Sequence, residues 1–219
     1  MEQIPSIPDA PASTTYTLPN PPKHKHTGGW YSALSTIAIL IAAPIIALLL
    51  TTFVFQSYEV DGPSMETTLQ HRDRLIVWKL QRTLSRITNN DYVPKRSAVI
   101  VFAKTGLLQE NSSKEKQLIK RVIGLPGERV VIKNGQITIY NAQFLDGFNP
   151  DINHDFSQNI SAITTGELDV VVPDDQIFVC GDNRVNSLDS RSFGSIPLSD
   201  VVGELKFRVF PVSNFKSFL

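Results

Sequence analysis

The residue best suited to nucleophilic chemistry in this 219-residue sequence is Ser64, which follows Gly62 and Pro63. Gly allows unusual backbone angles and Pro fixes its own φ, so this pair presents the next side chain on a sharp turn. A hydroxyl group presented in this way can attack a carbonyl carbon if a base takes its proton. A serine after Gly-Pro is also a common turn residue, so the interpretation depends on finding a base elsewhere in the chain.

Histidine is the usual base for a serine nucleophile. Beyond residue 27 the sequence contains only His71 and His154, and either of them is a candidate for a catalytic triad. No Gly stands two residues after Ser64, so the nucleophile elbow of the α/β-hydrolases is absent. The pattern of predicted strands also differs from that fold.

Lys120 is the alternative base. Residues 117–124 are predicted to form a strand, and strand alternation places Lys120 on one face and Arg121 on the other. One basic side chain must then face an apolar layer if the strand is half buried. Arg keeps its proton, whereas desolvation can lower the pKa of Lys from about 10.4 to about 8, at a cost of about 3 kcal/mol. A neutral Lys120 beside Ser64 would be a general base, and a strand lysine that extends its amine to water is the alternative.

A third polar segment, residues 181–191, directly follows an apolar run and combines turn formers, carboxylates, amides and two arginines. Its spacing partly resembles a calcium-binding loop. Arg184 occupies a ligand position and no Gly stands at the sixth position, so calcium binding is excluded. The alternative is a loop that satisfies its own hydrogen bonds, in which Asp189 and Arg191 can hold Ser187 against a neighbouring group.

The N-terminal region divides into a polar tail and an apolar segment. Residues 1–29 are rich in Pro, Ser and Thr and are predicted to be disordered, and His24 and His26 are more typical of solvated side chains than of a metal site. Residues 27–58 contain no charged side chain, which predicts one transmembrane helix at 30–56. A cleaved signal peptide is the competing interpretation, but the apolar run is too long and starts too late.

The charges that flank this helix favour one orientation. Lys23 and Lys25 precede the helix, whereas Glu59 and Asp61 follow it. The positive-inside tendency therefore predicts a cytoplasmic N-terminus and an exported C-terminal domain. Two arginines further downstream weaken the asymmetry.

Residues 57–219 are long enough for a single domain with its own core. Short runs rich in β-branched and aromatic residues predict strands, and Asn134-Gly135 predicts a tight hairpin between two of them. We predict a mainly β domain that is antiparallel and partly closed, like a barrel. Residues 104–116 and 144–165 are predicted to be surface loops. Besides 117–124, the predicted strands lie at 75–78, 98–102, 130–132, 137–140, 170–172, 177–179 and 207–210.

The composition excludes several functional classes. Lys and Arg together number 21, as do Asp and Glu, so no basic excess indicates a nucleic-acid partner. The single cysteine, Cys180, excludes an intrachain disulfide and is predicted to be a small buried apolar residue.

Four segments, taken in order, resemble the motif boxes of type I signal peptidases, the leader peptidases. The resemblance extends from the apolar segment to about Phe210. The matching segments are Ser64-Met65 after the membrane segment, Arg74-Leu75-Ile76-Val77, residues 120–128, and residues 181–191 with Gly181-Asp182-Asn183-Arg184 and Asp189-Ser190-Arg191.

The resemblance implies an endopeptidase that removes signal peptides from exported preproteins on the outer side of the membrane. By position, Ser64 would attack the scissile carbonyl and neutral Lys120 would take its proton. The Ser64 N–H would face the oxyanion, and Gly62 stands where some relatives carry an additional hydroxyl donor. The implied supporting residues are Ser187, which would orient the Lys120 amine, together with Asp189, Arg191, Asp182, Asn183 and Arg121.

The resemblance also implies a substrate and partners. Met65 would lie near the substrate and the membrane surface, and the substrate would be held as an added strand with small residues at the first and third positions before the cut, as in Ala-x-Ala. The implied partners are preprotein signal peptides, the lipid bilayer and the export machinery, with no metal, organic cofactor or nucleic acid. The membrane is either a plasma membrane or an internal one such as a thylakoid.

Two other functions share parts of this pattern. A self-cleaving repressor would use the same Ser/Lys chemistry, but such proteins are soluble and carry a DNA-binding segment. A catalytically inactive, membrane-tethered binding domain would be expected to lack Ser64 or Lys120, and both residues are present.

Overall fold

The computed structural model describes residues 29–88, 92–105, 116–152, 160 and 163–218. Residues 1–28 of the predicted N-terminal tail lie outside the described residues, as do His24, His26 and His154, and Gly29 is the first residue of a helix. The chain divides into two compact units at Ala43/Pro44, and all of the β-structure belongs to the second unit.

The apolar segment forms helix α1 (Gly29–Leu49), which continues as a π-helical turn (Leu50–Val54). Ala33–Val54 is long and apolar enough to cross a membrane, and its residues are not buried by the rest of the protein. An apolar helix without such cover is typical of a membrane span. The helical stretch ends two residues before the predicted boundary because Phe55 begins the first strand.

The second unit contains antiparallel strands and two short helices. The strands are β1 (Phe55–Glu59), β2 (Arg74–Trp78), β3 (Val99–Lys104), β4 (Lys116–Gly124), β5 (Arg129–Lys133), β6 (Gln136–Asn141), β7 (Phe144–Phe148), β8 (Leu168–Val171), β9 (Gln176–Cys180), β10 (Ile196–Pro197), β11 (Val201–Phe210) and β12 (Lys216–Ser217). The helices are α2 (Leu80–Thr88) and α3 (Ser190–Phe193).

These strands form two sheets. The larger has eight strands in the order β1-β2-β11-β3-β4-β9-β10, with β12 paired to β11, and the smaller has the order β7-β6-β5-β8. The sheets do not close into a complete barrel, so the prediction of a mainly β, antiparallel, partly closed domain is confirmed. The predicted hairpin is also confirmed, since Asn134 and Gly135 join β5 to β6 with positive φ values of 54° and 77°.

The described residues form three buried apolar clusters, and one of them lies under the loop that joins β1 to β2. In that cluster Met65 and Leu69 from the loop pack with Leu75 of β2 and Leu205 of β11. The loop that carries Ser64 is therefore anchored to the sheet through its own apolar side chains. Cys180 is fully buried, as predicted.

The prediction of a surface loop at 144–165 is wrong for part of that segment. Phe144–Phe148 forms β7, which pairs with β6, and Thr164 is buried. The polar composition concealed this role because strand β7 is largely exposed and Thr164 faces a buried arginine.

Candidate active site

The turn that presents Ser64 begins with a glycine in the left-handed region. Gly62 has φ +99°, a conformation that other residues rarely adopt. The Glu66 N–H then donates to the Pro63 carbonyl (3.0 Å), and the Leu69 N–H donates to the Met65 carbonyl (2.8 Å). The chain therefore reverses sharply after β1, as the Gly-Pro pair predicts.

Met65 packs into the core beneath the Ser64 turn. Its side chain is fully buried in the core cluster of Leu69, Leu75 and Leu205, and its place near the substrate and the membrane surface stays a prediction. It does not line the cavity that contains Ser64. The turn places Ser64 at the cavity wall and directs its neighbour into the core, so Met65 anchors the loop.

The structure brings Ser64 and Lys120 together. Lys120 Nζ lies 2.7 Å from Ser64 Oγ and also donates to the Ile119 carbonyl at 2.9 Å. The side chain is buried, and this desolvation lowers the pKa of Lys120 to about 8 although the nearby carboxylates of Asp189 and Asp182 act in the opposite direction. A substantial fraction of the amine is therefore neutral near pH 8 and can accept a proton.

Arg121 is buried as well as Lys120, which the assumption of a half-buried strand did not predict. The second half of β4 is buried on both faces, because Val122 packs in one apolar cluster and Ile123, on the opposite face, packs in another. Arg121 donates to the Asp182 carboxylate at 2.7 and 2.5 Å and to the Ser97 carbonyl at 2.7 Å. Arg121 and Asp182 thus form a buried ion pair behind the strand that carries Lys120.

The segment that begins at Gly181 is fastened to the Ser64 turn. The Asn183 N–H donates to the Ser64 carbonyl (3.1 Å), and Asn183 Nδ2 donates to the Pro63 carbonyl (3.2 Å). Asp182 is fully buried and accepts a hydrogen bond from Thr68 Oγ1 at 2.5 Å, in the same loop as Ser64. These contacts fix the backbone of the nucleophile from both sides.

Gly181 lies so close to the Ser64 turn that a side chain would not fit. A Cβ at this position would be 2.3 Å from the Ser64 carbonyl oxygen and 2.3 Å from Ser187 Oγ. We expect Gly181→Ala to displace the Ser64 turn and to lower kcat/KM by about 100-fold or more, because a misplacement of about 1 Å has effects of that size. The measurement is the endopeptidase activity that the sequence resemblance implies, normalised to the amount of folded protein.

Gly203→Ala is the matched control, because a Cβ there would be 2.5 Å from the Trp78 carbonyl oxygen. Trp78 and Gly203 do not line the cavity that contains Ser64. Both variants should lose stability, but only Gly181→Ala should lose activity per folded molecule. If both variants lost the same activity per folded molecule, the loss could not be assigned to displacement of the Ser64 turn.

Asp189 and Arg191 form the other end of this segment. Asp189 Oδ2 accepts from the Gly181 N–H (2.9 Å), and Arg191 Nε and Nη2 each donate to the carboxylate at 2.8 Å. Burial alone would raise the pKa of Asp189, but the hydrogen bonds from Arg191 and Gly181 outweigh burial and lower it. The carboxylate therefore stays ionised and holds Gly181 in place.

Ser187 does not make the hydrogen bond to Lys120 that the resemblance implied. Its Oγ is buried and faces the Asp189 carboxylate, whose pKa this hydroxyl group helps to lower. The position of Ser187 against Gly181 nevertheless brings it next to the Ser64 turn.

A cavity of about 300 Å³ opens beside Ser64 and Lys120. Its walls include the end of β1 with the following loop, residues 58–64, and the start of β4, residues 116–120. Among the described strands, β1 pairs only with β2, and residues 116–120 of β4 pair only with β3. The cavity is therefore bordered by two strand edges with unpaired backbone groups.

Two other polar side chains near this site need separate description. The Tyr58 hydroxyl group is buried at the cavity wall with no hydrogen-bond partner in the described part of the chain, and burial raises its pKa. His71 is exposed, and its Nδ1 lies 3.5 Å from the Gly62 nitrogen and 3.6 Å from Asp61 Oδ1. His71 is not part of the cavity wall, whereas Lys120 contacts Ser64 directly.

Sequence reasoning missed the partners of Arg184. This side chain is fully buried and donates to the Gly181 carbonyl (3.1 Å), to both oxygens of Asp151 (2.6 Å each) and to Thr164 Oγ1 (2.8 Å). Asp151 and Thr164 lie 33 and 20 residues away in sequence, in the segment predicted to be a loop. No local pattern in the sequence indicates such contacts.

No group of three or more His, Cys, Asp or Glu side chains that could hold a metal ion occurs in the described ranges.

Comparison with known proteins gives a consistent result. A family model described as signal peptidase, peptidase S26, matches residues 33–210. The chain is 35% identical over 187 residues to a probable signal peptidase I-1 of Synechocystis sp., covering 85% of this chain and 87% of that protein. It is 33% identical over 178 residues to a signal peptidase I of Bacillus amyloliquefaciens, covering 81% and 88%. A solved signal peptidase I from Enterococcus faecalis is 28% identical and covers 52% of this chain and 97% of that one, with a TM-score of 0.38.

Proposed function

The chain belongs to the signal peptidase family, peptidase S26, and we propose that it cleaves N-terminal signal peptides from preproteins with Ser64 as nucleophile and Lys120 as general base. It is a peptidase with one N-terminal helix suited to a single membrane crossing. The observation that carries the proposed mechanism is the 2.7 Å distance between Lys120 Nζ and Ser64 Oγ. Hydrogen-bond contact between nucleophile and base is the geometry that proton transfer requires.

Acylation begins with Lys120 in its neutral form. The amine takes the proton of Ser64 Oγ as this oxygen attacks the scissile carbonyl carbon, which gives a tetrahedral intermediate and a Lys120 ammonium group. The C–N bond then breaks, and Lys120 returns the proton to the leaving amine. In the second half, Lys120 takes a proton from the water that attacks the acyl carbon. It returns this proton to Ser64 Oγ as the acyl C–O bond breaks, which releases the carboxyl product and restores neutral Lys120.

The Ser64 backbone N–H is the proposed oxyanion donor. It donates no hydrogen bond within the described part of the chain, so it is available to the developing negative charge. Gly62 supplies no side-chain hydroxyl group, and any second donor would be a backbone N–H or water. The hydrogen bond from Asn183 Nδ2 to the Pro63 carbonyl supports this role, because that carbonyl and the Ser64 N–H belong to the same planar peptide group.

The substrate would bind in an extended conformation between the two strand edges. Such a peptide can pair with the backbone groups of β1 and β4, as in other cases of strand addition. Its first and third residues before the cut would share one face, because side chains of an extended chain alternate. That face would meet the apolar side chains of Leu75 and Val101, which supports a preference for small apolar residues such as Ala-x-Ala.

The remaining site residues have positioning roles in this proposal. Asp182, Asn183 and Arg121 hold the Ser64 turn and β4 together, and Asp189 with Arg191 holds Gly181. We propose that Ser187 contacts the Lys120 amine during turnover. The amine is then protonated and has an additional N–H that can donate to the Ser187 hydroxyl group. A buried hydroxyl group that faces Asp189 can donate to that carboxylate and still accept a hydrogen bond from the Lys120 ammonium group.

The location follows from the same proposal. The N-terminus would be cytoplasmic, and the domain after the membrane helix would lie on the outer face of a plasma membrane or an internal membrane such as a thylakoid. Lys23 and Lys25 before the helix, and Glu59 and Asp61 after it, support this orientation. The proposed partners are the lipid bilayer and the protein-export machinery, in addition to the signal peptides of preproteins.

The pH dependence of cleavage tests the lysine base. We expect kcat/KM to rise about tenfold per pH unit at low pH and to level off above about pH 8, because only the neutral amine of Lys120 accepts the Ser64 proton and its pKa is lowered to about 8. The measurement is cleavage of a preprotein by the full chain in detergent. An inflection in the range of an ordinary histidine, near about pH 6.5, that disappeared in His71→Ala would contradict the assignment.

A further inference from the structure

Helix α2 carries its apolar stripe on the outside of the protein. Leu80, Leu84 and Ile87 follow the i, i+4, i+7 spacing of one helix face. Leu84 is 49% exposed and Ile87 is 75% exposed, whereas the buried residue of this helix is Ser85. An amphipathic helix that turns its apolar face away from its own domain needs another apolar partner.

The position of α2 indicates what that partner is. Thr83 Oγ1 donates to the Phe53 carbonyl (3.0 Å), and Lys79 Nζ donates to the Thr51 carbonyl (3.4 Å). Thr51 and Phe53 belong to the last turn of the candidate membrane span, which ends at Val54. Helix α2 is therefore hydrogen-bonded to the end of the candidate membrane span, and the end of such a span is the part nearest the lipid headgroups.

Basic side chains lie between α2 and this last turn. Lys79, Arg82 and Arg86 line a cavity of about 440 Å³ together with Phe53 and Ile87. The described residues that form its wall include no Asp or Glu. The cavity thus combines positive charge with apolar side chains, as the headgroup region of an anionic membrane requires.

Of the three basic side chains that line this cavity, Arg86 is the most available to a ligand. Arg82 donates to the Val201 and Ser199 carbonyls (3.2 and 2.8 Å), and Lys79 donates to Gln56 Oε1 (3.1 Å). Arg86 makes no hydrogen bond or ion pair with any described residue, although it shares a neighbouring cavity with Asp200.

We propose that α2 is an interfacial helix that inserts Leu84 and Ile87 into the membrane and binds the phosphate group of an anionic phospholipid through Arg86, Lys79 and Arg82. This second membrane contact is separate from the transmembrane helix and independent of the chemistry at Ser64. It would fix the height of the catalytic domain above the bilayer.

A fluorescent label on α2 tests the proposal in the full chain. Ile87→Cys places a reactive thiol on the apolar stripe, and the native Cys180 is fully buried and will not compete. Leu145→Cys is the control, since this residue is 81% exposed on β7 of the other sheet. Each labelled protein is reconstituted into phosphatidylcholine vesicles with or without about one-third phosphatidylglycerol, and quenching by neutral acrylamide is measured.

We expect the label at position 87 to become several-fold less accessible to acrylamide than the label at position 145, and to do so mainly in the anionic vesicles. Adding Arg86→Gln should lower the ratio of inserted to free helix by about fivefold, the effect of one basic side chain near an anionic surface. Lys133→Gln, an exposed residue at the β5–β6 turn, is the matched control and should have no effect.

Three results would overturn the proposal. The first is equal accessibility of the two labels in both kinds of vesicle. The second is protection at position 87 that depends neither on phosphatidylglycerol nor on Arg86. The third is protection that depends on the protein-to-lipid ratio, which would indicate contact with a second copy of the chain.

Discussion

Ser64→Ala and Lys120→Met are each expected to lower kcat for preprotein cleavage by about 10⁴-fold or more. The first change removes the attacking oxygen, and the second leaves that oxygen without a base to take its proton. Lys120→Met keeps the length and apolar stem of the side chain, so the buried space stays filled. The measurement is the single-turnover rate of preprotein cleavage by the full chain in detergent, at about pH 9, where wild-type Lys120 is mostly neutral.

Lys116→Met provides the matched control. Lys116 lies on the same strand and lines the same cavity, but its side chain is exposed and does not contact Ser64 in the described structure. We expect this variant to retain activity within a few-fold of wild type. The double variant Ser64→Ala/Lys120→Met should be no less active than either single variant, because the two groups act as one unit.

If a residue other than Lys120 were the base, the activities of the variants would differ from those expected here. If Lys120→Met kept near-normal activity while His71→Ala lost it, the Ser/Lys assignment would be wrong. If the wild-type protein cleaved no preprotein, the tethered-binding alternative would become the leading explanation. Circular dichroism of each variant separates loss of chemistry from loss of fold.

The sequence was sufficient to predict those features that depend on local patterns. Alternating β-branched residues predicted the strands near Leu75, Val130 and Ile137, and the turn residues Asn134-Gly135 predicted their hairpin. Each of these signals operates over fewer than about ten residues, where backbone preference and burial of one face agree.

The candidate dyad was predictable only by combining local signals from distant segments. Gly62 and Pro63 indicated the turn before Ser64, and strand alternation indicated that Lys120 or Arg121 would face an apolar layer. Neither signal fixes a distance between side chains 56 residues apart, and the resemblance to a family supplied the pairing. The burial of both Lys120 and Arg121 depends on apolar clusters packed against both faces of β4, which its own sequence does not reveal.

Features that depend on long-range contacts were not predictable. Met65 is buried because Leu75 and Leu205, from two other strands, meet the Ser64 loop. Helix α2 was missed because it is short and exposes its apolar residues, so its pattern does not indicate a core-facing helix. Thr68 and Asp182 are 114 residues apart, and their hydrogen bond exists only after the sheet has formed.

Arg184→Met is expected to lower the free energy of unfolding by about 3–5 kcal/mol. The guanidinium group is fully buried, and its loss leaves the Asp151 carboxylate and the Gly181 carbonyl without their donor. A buried charge without its partner is far more costly than the loss of the attraction itself. The measurement is urea-induced unfolding of the full chain in detergent, followed by tryptophan fluorescence.

Two further variants determine the cause of this loss. Arg129→Met removes one member of an exposed pair with Asp169, in which each side chain is 52% exposed, and should leave the unfolding free energy nearly unchanged. Arg184→Met/Asp151→Leu removes both buried charges and should recover part of the stability, because an apolar replacement of a buried pair is often close to neutral. If the double variant were less stable than Arg184→Met alone, the unpaired carboxylate would not be the cause. The hydrogen bonds of Arg184 to Gly181 and Thr164 would then account for the loss, and the stability of the domain would depend on the same backbone segment that holds Ser64.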